Sequence, residues 1–290
     1  MRARRLLLTC LASALAPVAL AASAGGPVTV PMKIVDNFPV ITARMDGEDV
    51  PLMFDLGSDS SLALPEEALA RISTQPVAET RRWSDAKGNI MKAPMFRVPR
   101  IEIGGVAFDG VVGHVQKSDP SYPAPAVFMQ GIIGEPFFQA WKIVLDYASE
   151  RMTLIPGDSG APEQAGCRGT VVPFLPEWDG APVTKATTDI GEVVMVWDTG
   201  APVSVIRQAR AEGTGARAVN KFYATARFAL GGEDFGPLQL RLFDYEEPRG
   251  TDGIVGHSFF ATHVVCVDFQ RNSLRIGSSR QILVSKPIRR

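Results

Sequence analysis

The sequence predicts an all-β chain of two lobes, related by a pseudo-twofold axis and separated by a cleft. Three observations carry that expectation. Glycine and proline supply 27 and 22 of the 290 residues, a density of turn formers that favours many short strands over long helices. Residues 39–57, PVITARMDGEDVPLMFDLG, return as residues 182–200, PVTKATTDIGEVVMVWDTG, at a constant offset of 143 with seven of 19 positions identical. Residues 131–154 return as residues 253–276 at a constant offset of 122. Two ungapped blocks in the same order mark a duplicated structural unit. The offset falls by 21 between blocks, so the first copy carries about that many extra residues between its two blocks.

In chain order, residues 1–24 come first and read as a secretory signal. Arg2, Arg4 and Arg5 charge the start, Leu6 to Leu20 is mostly apolar, and Ala22-Ser23-Ala24 is a small-residue cleavage site. Its removal takes three arginines and no acid from a balance of 30 basic and 31 acidic side chains. The remaining chain is mildly acidic, with no basic excess to hold nucleic acid. No later stretch reaches the ~20 apolar residues that span a bilayer. Three histidines and three cysteines are too few and too scattered for a zinc ribbon or an H-E-x-x-H site.

Each copy then forms one lobe, 27–156 and 167–280, joined by a turn-rich linker at 157–166 and followed by a tail at 281–290. Within the lobes, β-branched and aromatic runs flank Gly104-Gly105 and Gly231-Gly232, the pattern of tight hairpins. Short helices are expected at Pro65 to Ile72 and after Gly134 and Gly256. The exported chain keeps two cysteines, Cys167 and Cys266. An oxidising compartment permits a bridge between them, while buried free cysteine is equally common.

The chemistry lies at the end of each first block. Leu52-Met53-Phe54-Asp55-Leu56-Gly57-Ser58 and Val196-Trp197-Asp198-Thr199-Gly200-Ala201 each deliver an aspartate from an apolar run into a glycine turn. A pseudo-twofold axis would bring Asp55 and Asp198 face to face. Two carboxylates that close cannot both ionise cheaply, so the pair would hold one proton. The ionised member can take a proton from water while the protonated one polarises a carbonyl. Gly57 and Gly200 let backbone approach the carboxylates, and Ser58 and Thr199 complete the loops.

These residues resemble the aspartic peptidases of the pepsin and retropepsin type, and among them exported bacterial proteins with two retropepsin-like lobes. The family pattern is two apolar residues, Asp-Thr/Ser-Gly-Ala/Ser, and later two apolar residues and Gly. Phe54 to Ser58 with Ile132-Ile133-Gly134 match it once, and Trp197 to Ala201 with Ile254-Val255-Gly256 match it again. The resemblance implies hydrolysis of peptide bonds, with Asp55 and Asp198 as the catalytic dyad and a flap hairpin closing over a peptide or unfolded protein substrate. Metal and cofactor are expected to be absent, because the carboxylates alone supply the water-activating charge. The charge balance and the signal give an expected monomer without nucleic-acid partner or stable membrane insertion, in a periplasmic or secreted location. One position departs from the pattern. Leu56 stands where the family has Thr or Ser, whose hydroxyl bonds across to the opposite loop. A peptide-binding relative without catalysis is therefore the alternative expectation.

Four further features are placed by the sequence. The flap is expected around Trp83, in Arg82 to Asn89, where the first copy is longer. Gly157-Asp158-Ser159-Gly160 resembles the nucleophile motif of serine peptidases but lacks a suitable histidine base. It reads as a polar turn. His257 and His263 lack matching partners in the first copy and read as packing or surface residues. Asp146 and Asp268 repeat as faithfully as the dyad, but each precedes a turn, which gives them a structural role.

Overall fold

A computed structural model describes residues 26–84, 90–116, 131–157, 166–176, 180–212, 219–243 and 250–278. The signal segment, Ser159 and the 281–290 tail lie outside the described residues. Strands dominate, because alternating burial along segments such as Val28–Val35 and Val183–Thr188 puts one face of each on a core. They form two sheets, of 13 and eight strands.

The Gly104-Gly105 hairpin forms as expected. Ile103 pairs with Val106 across the two glycines, whose φ angles are +59° and +83°. Gly231-Gly232 joins Leu230 to Glu233 in the same way. Short helices form at Glu66–Leu69 and His257–Phe260, with a 3-10 turn at Glu135–Phe138. A further helix at Gln208–Glu212 has no counterpart in the sequence expectations.

In each copy, the strand leading to the aspartate runs parallel to the strand of the second block. Met53 pairs with Ile132 and Phe54 with Ile133, and at the same offsets Val196 pairs with Ile254 and Trp197 with Val255. The strand after each aspartate loop pairs with the other edge of that short strand, through Leu62–Ile133 and Val205–Ile254. The loop must therefore cross over Gly134 or Gly256. A Cβ on Gly256 would sit 2.6 Å from the carbonyl oxygens of Ala201 and Val203, and one on Gly134 would meet those of Ser58 and Ser60. Any side chain here would collide with loop backbone, which explains the glycine ending each apolar pair.

The two copies share more than a cleft. Strand His263–Asp268 of the second pairs antiparallel with Trp141–Asp146 of the first, setting Val144 opposite Cys266. Those two residues are repeat equivalents, so the pseudo-twofold axis passes between them. Ser273–Ser278 and Thr170–Pro173 extend the shared sheet on one side, and Arg151–Pro156 and Val28–Val35 on the other. Cys167 and Cys266 are joined by a disulfide beside this axis, with Cα atoms 5.2 Å apart. The core repeats as well. Phe54 meets Phe138 edge-on at 5.4 Å, and their equivalents Trp197 and Phe260 meet edge-on at 5.8 Å. The Trp197 indole N–H is satisfied by Thr184 Oγ1 at 2.9 Å.

Candidate active site

Asp55 ends the strand Glu48–Asp55, and Asp198 follows the strand Gly191–Trp197. Each carboxylate accepts a hydrogen bond from the glycine N–H two residues on, Gly57 to Asp55 at 2.9 Å and Gly200 to Asp198 at 2.7 Å. Each also overhangs the opposite loop. A Cβ on Gly57 would lie 2.5 Å from the Asp198 carboxyl carbon, and one on Gly200 would lie 2.8 Å from that of Asp55. The two loops interlock so closely that only glycine fits at these positions. Asp55 and Asp198 therefore lie side by side, each carboxyl set over the other's glycine loop.

That contact sets the electrostatics. Asp55 is held protonated well above the usual carboxylate range, first by desolvation between the loops, then by the Asp198 charge and by the hydrogen bond to it. The backbone N–H groups of Gly57 and Ser58 pull in the other direction and are outweighed. A pair in which one carboxyl resists ionisation beside the other can both accept and donate a proton.

Thr199 braces the loops. Its hydroxyl donates to the Phe54 carbonyl at 2.7 Å and accepts from the Leu56 N–H at 2.8 Å, all inside the core. Leu56 occupies the mirror position, wholly buried, and has no hydroxyl to return the contact. The brace therefore runs from one side only. Ser58 Oγ accepts from the Ser60 N–H at 3.3 Å and shapes the first loop. Trp83 falls on the backbone of the strand Gln75–Ser84, opposite Met91. Its side chain and residues 85–89 lie outside the described residues.

The aspartates read as structural are so. Asp146 accepts from the Ser149 N–H and Asp268 from the Arg271 N–H, both at 3.1 Å, closing equivalent turns. His263 stacks on Phe259 at 4.1 Å. One residue near the dyad escaped sequence reasoning. Tyr147 is buried with an unpartnered hydroxyl, and burial, then the Asp198 and Asp55 charges, raise its pKa well above the ordinary value. Its signal was a single hydroxyl, since its repeat equivalent is Phe269. His114 is buried near the ion pair of half-buried Arg81 with exposed Asp59 (2.6 Å) and is pushed down to about 4, first by desolvation and then by the Arg81 charge.

Two carboxylates on interlocked glycine loops, facing each other across the axis of a duplicated β fold, define an aspartic-peptidase architecture. Comparison with known proteins agrees. Residues 41–137 match the profile of a family described as aspartyl protease, a stretch holding the first aspartate loop and the Ile132–Gly134 strand. The fold is similar to the crystal structure of the aspartic proteinase from Irpex lacteus, with a TM-score of 0.61 and 14% identity over 88% of this chain and 98% of that one. No curated protein sequence matches the chain. The fold is thus that of the aspartic proteinases, and residues 41–137 carry the sequence likeness to the aspartyl protease profile.

Proposed function

We propose that the chain is an aspartic-type endopeptidase in which Asp55 and Asp198 share one proton. The observation that carries the reading is the close approach of the two carboxyls, each over the glycine of the opposite loop. In this mechanism the ionised carboxylate takes a proton from a water held between the pair, and the water oxygen attacks the peptide carbonyl. The protonated carboxyl hydrogen-bonds to that carbonyl and stabilises the developing oxyanion. The proton taken from water is then delivered to the leaving nitrogen, and the second carboxyl recovers its own. Cleavage should be fastest at mildly acid pH, because the dyad must keep exactly one of its two protons.

Substrates are peptides or unfolded proteins, and the flap lies in the hairpin that carries Trp83. Export follows from the signal-like N-terminus, and the Cys167–Cys266 bridge is consistent with an oxidising compartment. Among the described residues, no helix is long and apolar enough to cross a membrane.

Asp55→Asn and Asp198→Asn should each abolish cleavage of an unfolded protein substrate, and a statine-type transition-state mimic should inhibit the wild type. The one-sided brace favours a second reading, a peptide-binding relative without catalysis. In that case the wild type cleaves nothing from about pH 3 to about pH 7, a span that starts below the ordinary Asp value of about 3.9 and reaches well above it, while peptides still bind. Leu56→Thr separates a slow enzyme from a non-enzyme. A folded Leu56→Thr protein that cleaves nothing would sink the catalytic reading.

A further inference from the structure

We infer that the molecule holds a second binding site, for a basic side chain, in a cavity beside the Glu135–Phe138 turn. The inference does not depend on the dyad being active. The cavity encloses about 400 Å³, a volume within the usual range of ligand sites. Phe174, Leu175 and Phe269 contribute apolar edges, while Glu135, Gln139 and Asn272 contribute polar side chains to a mostly polar lining. Glu135 is 3% exposed. Gln139 Nε2 donates to its Oε1 at 3.1 Å, and its Oε2 has no hydrogen-bond partner. An orphaned buried carboxylate oxygen is costly, and a donor would relieve it.

The pseudo-symmetry shows why the space exists. The equivalent of Glu135 is His257, whose surroundings are filled by the first lobe. His257 donates to the Asn37 backbone carbonyl, and Asn37 Nδ2 donates to the Pro202 carbonyl at 3.2 Å. Tyr147 packs on His257 with ring centroids 5.7 Å apart. At the same offsets on the other side, Gly180 stands for Asn37 and Phe269 for Tyr147. A side chain and a hydroxyl are missing there, and the cavity occupies that side.

The chemistry of the occupant follows from the same comparison. His257 is a donor and meets a carbonyl acceptor; Glu135 is an acceptor and requires a donor. An acidic group in a mostly polar cavity edged by Phe174 and Phe269 suits a guanidinium or ammonium, which forms charge-assisted bonds to carboxylate.

The test is calorimetric titration of the full chain with Nα-acetyl-arginine N-methylamide and with its neutral citrulline isostere. The arginine probe should bind at least about tenfold more tightly than the isostere. Glu135→Gln should remove that preference, whereas Asp55→Asn should leave it intact. Position 139 is exposed, so Gln139→Lys should fold and should block the probe by placing its own ammonium on Glu135, one helical turn back. Equal affinity for both probes, no measurable binding, or a preference that survives Glu135→Gln or Gln139→Lys would overturn the inference. Loss of the preference in Asp55→Asn would also overturn it, by placing the probe in the dyad cleft.

Discussion

Thr199 makes two buried hydrogen bonds to the opposite loop, and Leu56 makes none through its side chain. Replacing Thr199 with Val keeps the shape, deletes both bonds, and leaves the Phe54 carbonyl and Leu56 N–H unpaired. The expected loss is about 2–3 kcal/mol in denaturant unfolding. Leu56→Thr is different, because Leu56 fills core space and Thr is smaller. Its readout is cleavage rate, not stability. Asp55 gives a pH signature. Its folded pKa lies above the ordinary 3.8, so the folded chain keeps a proton that the unfolded chain has released. Stability is therefore lost as pH rises from the ordinary value through the raised one. Asp55→Asn should be more stable than wild type at pH 7 and little different at pH 3, in melting curves at the two pH values. His114 acts in the opposite sense. Its folded pKa is depressed from 6.5 to about 4, so stability is lost as pH falls through that window. His114→Gln should flatten the acid limb of the melting profile between those values.

At the scale of elements, the aspartate loops depend on the glycines they cross. Gly256→Ala would drive a methyl group into the carbonyls of Ala201 and Val203. Overpacking against backbone should cost about 1–3 kcal/mol, read from unfolding midpoints, and should also reduce cleavage by displacing the Asp198 loop. In the hairpin formed by Gln75–Ser84 and Ile90–Ile103, Trp83→Ala should weaken peptide binding far more than it lowers the melting temperature. Equal losses would make the tryptophan an ordinary packing residue. The sequence made such local features legible wherever two residues sufficed to define them. Gly104-Gly105 specified a hairpin, and the doubled Asp-x-Gly specified the facing loops. Pairing between distant strands left no comparable mark. The contact of Val144 with Cys266 depends on how the copies meet, and both segments read simply as buried strands. Tyr147 was hidden for the same reason, because its hydroxyl gains meaning only from the charges the fold brings near it.

At the scale of the molecule, the shared sheet makes the lobes mutually dependent, and the disulfide reinforces it. Cys167 and Cys266 are 99 residues apart in sequence and both almost fully buried. In the chain-entropy description a loop of that size contributes about 4–5 kcal/mol, less any strain. Cys167→Ala/Cys266→Ala should therefore lower the denaturation midpoint substantially, and reductant should lower that of the wild type but not of the variant. The pseudo-twofold axis has one more consequence. Had two identical chains met as an isologous dimer, every substitution would appear on both sides of the axis. A leucine at the brace position would then remove both hydroxyls and leave two loops with nothing holding them. Covalent fusion frees the halves from that constraint, so one can retain the anchoring group while the other changes. The Thr199–Leu56 asymmetry is a configuration closed to two identical chains and open to a single polypeptide carrying both halves.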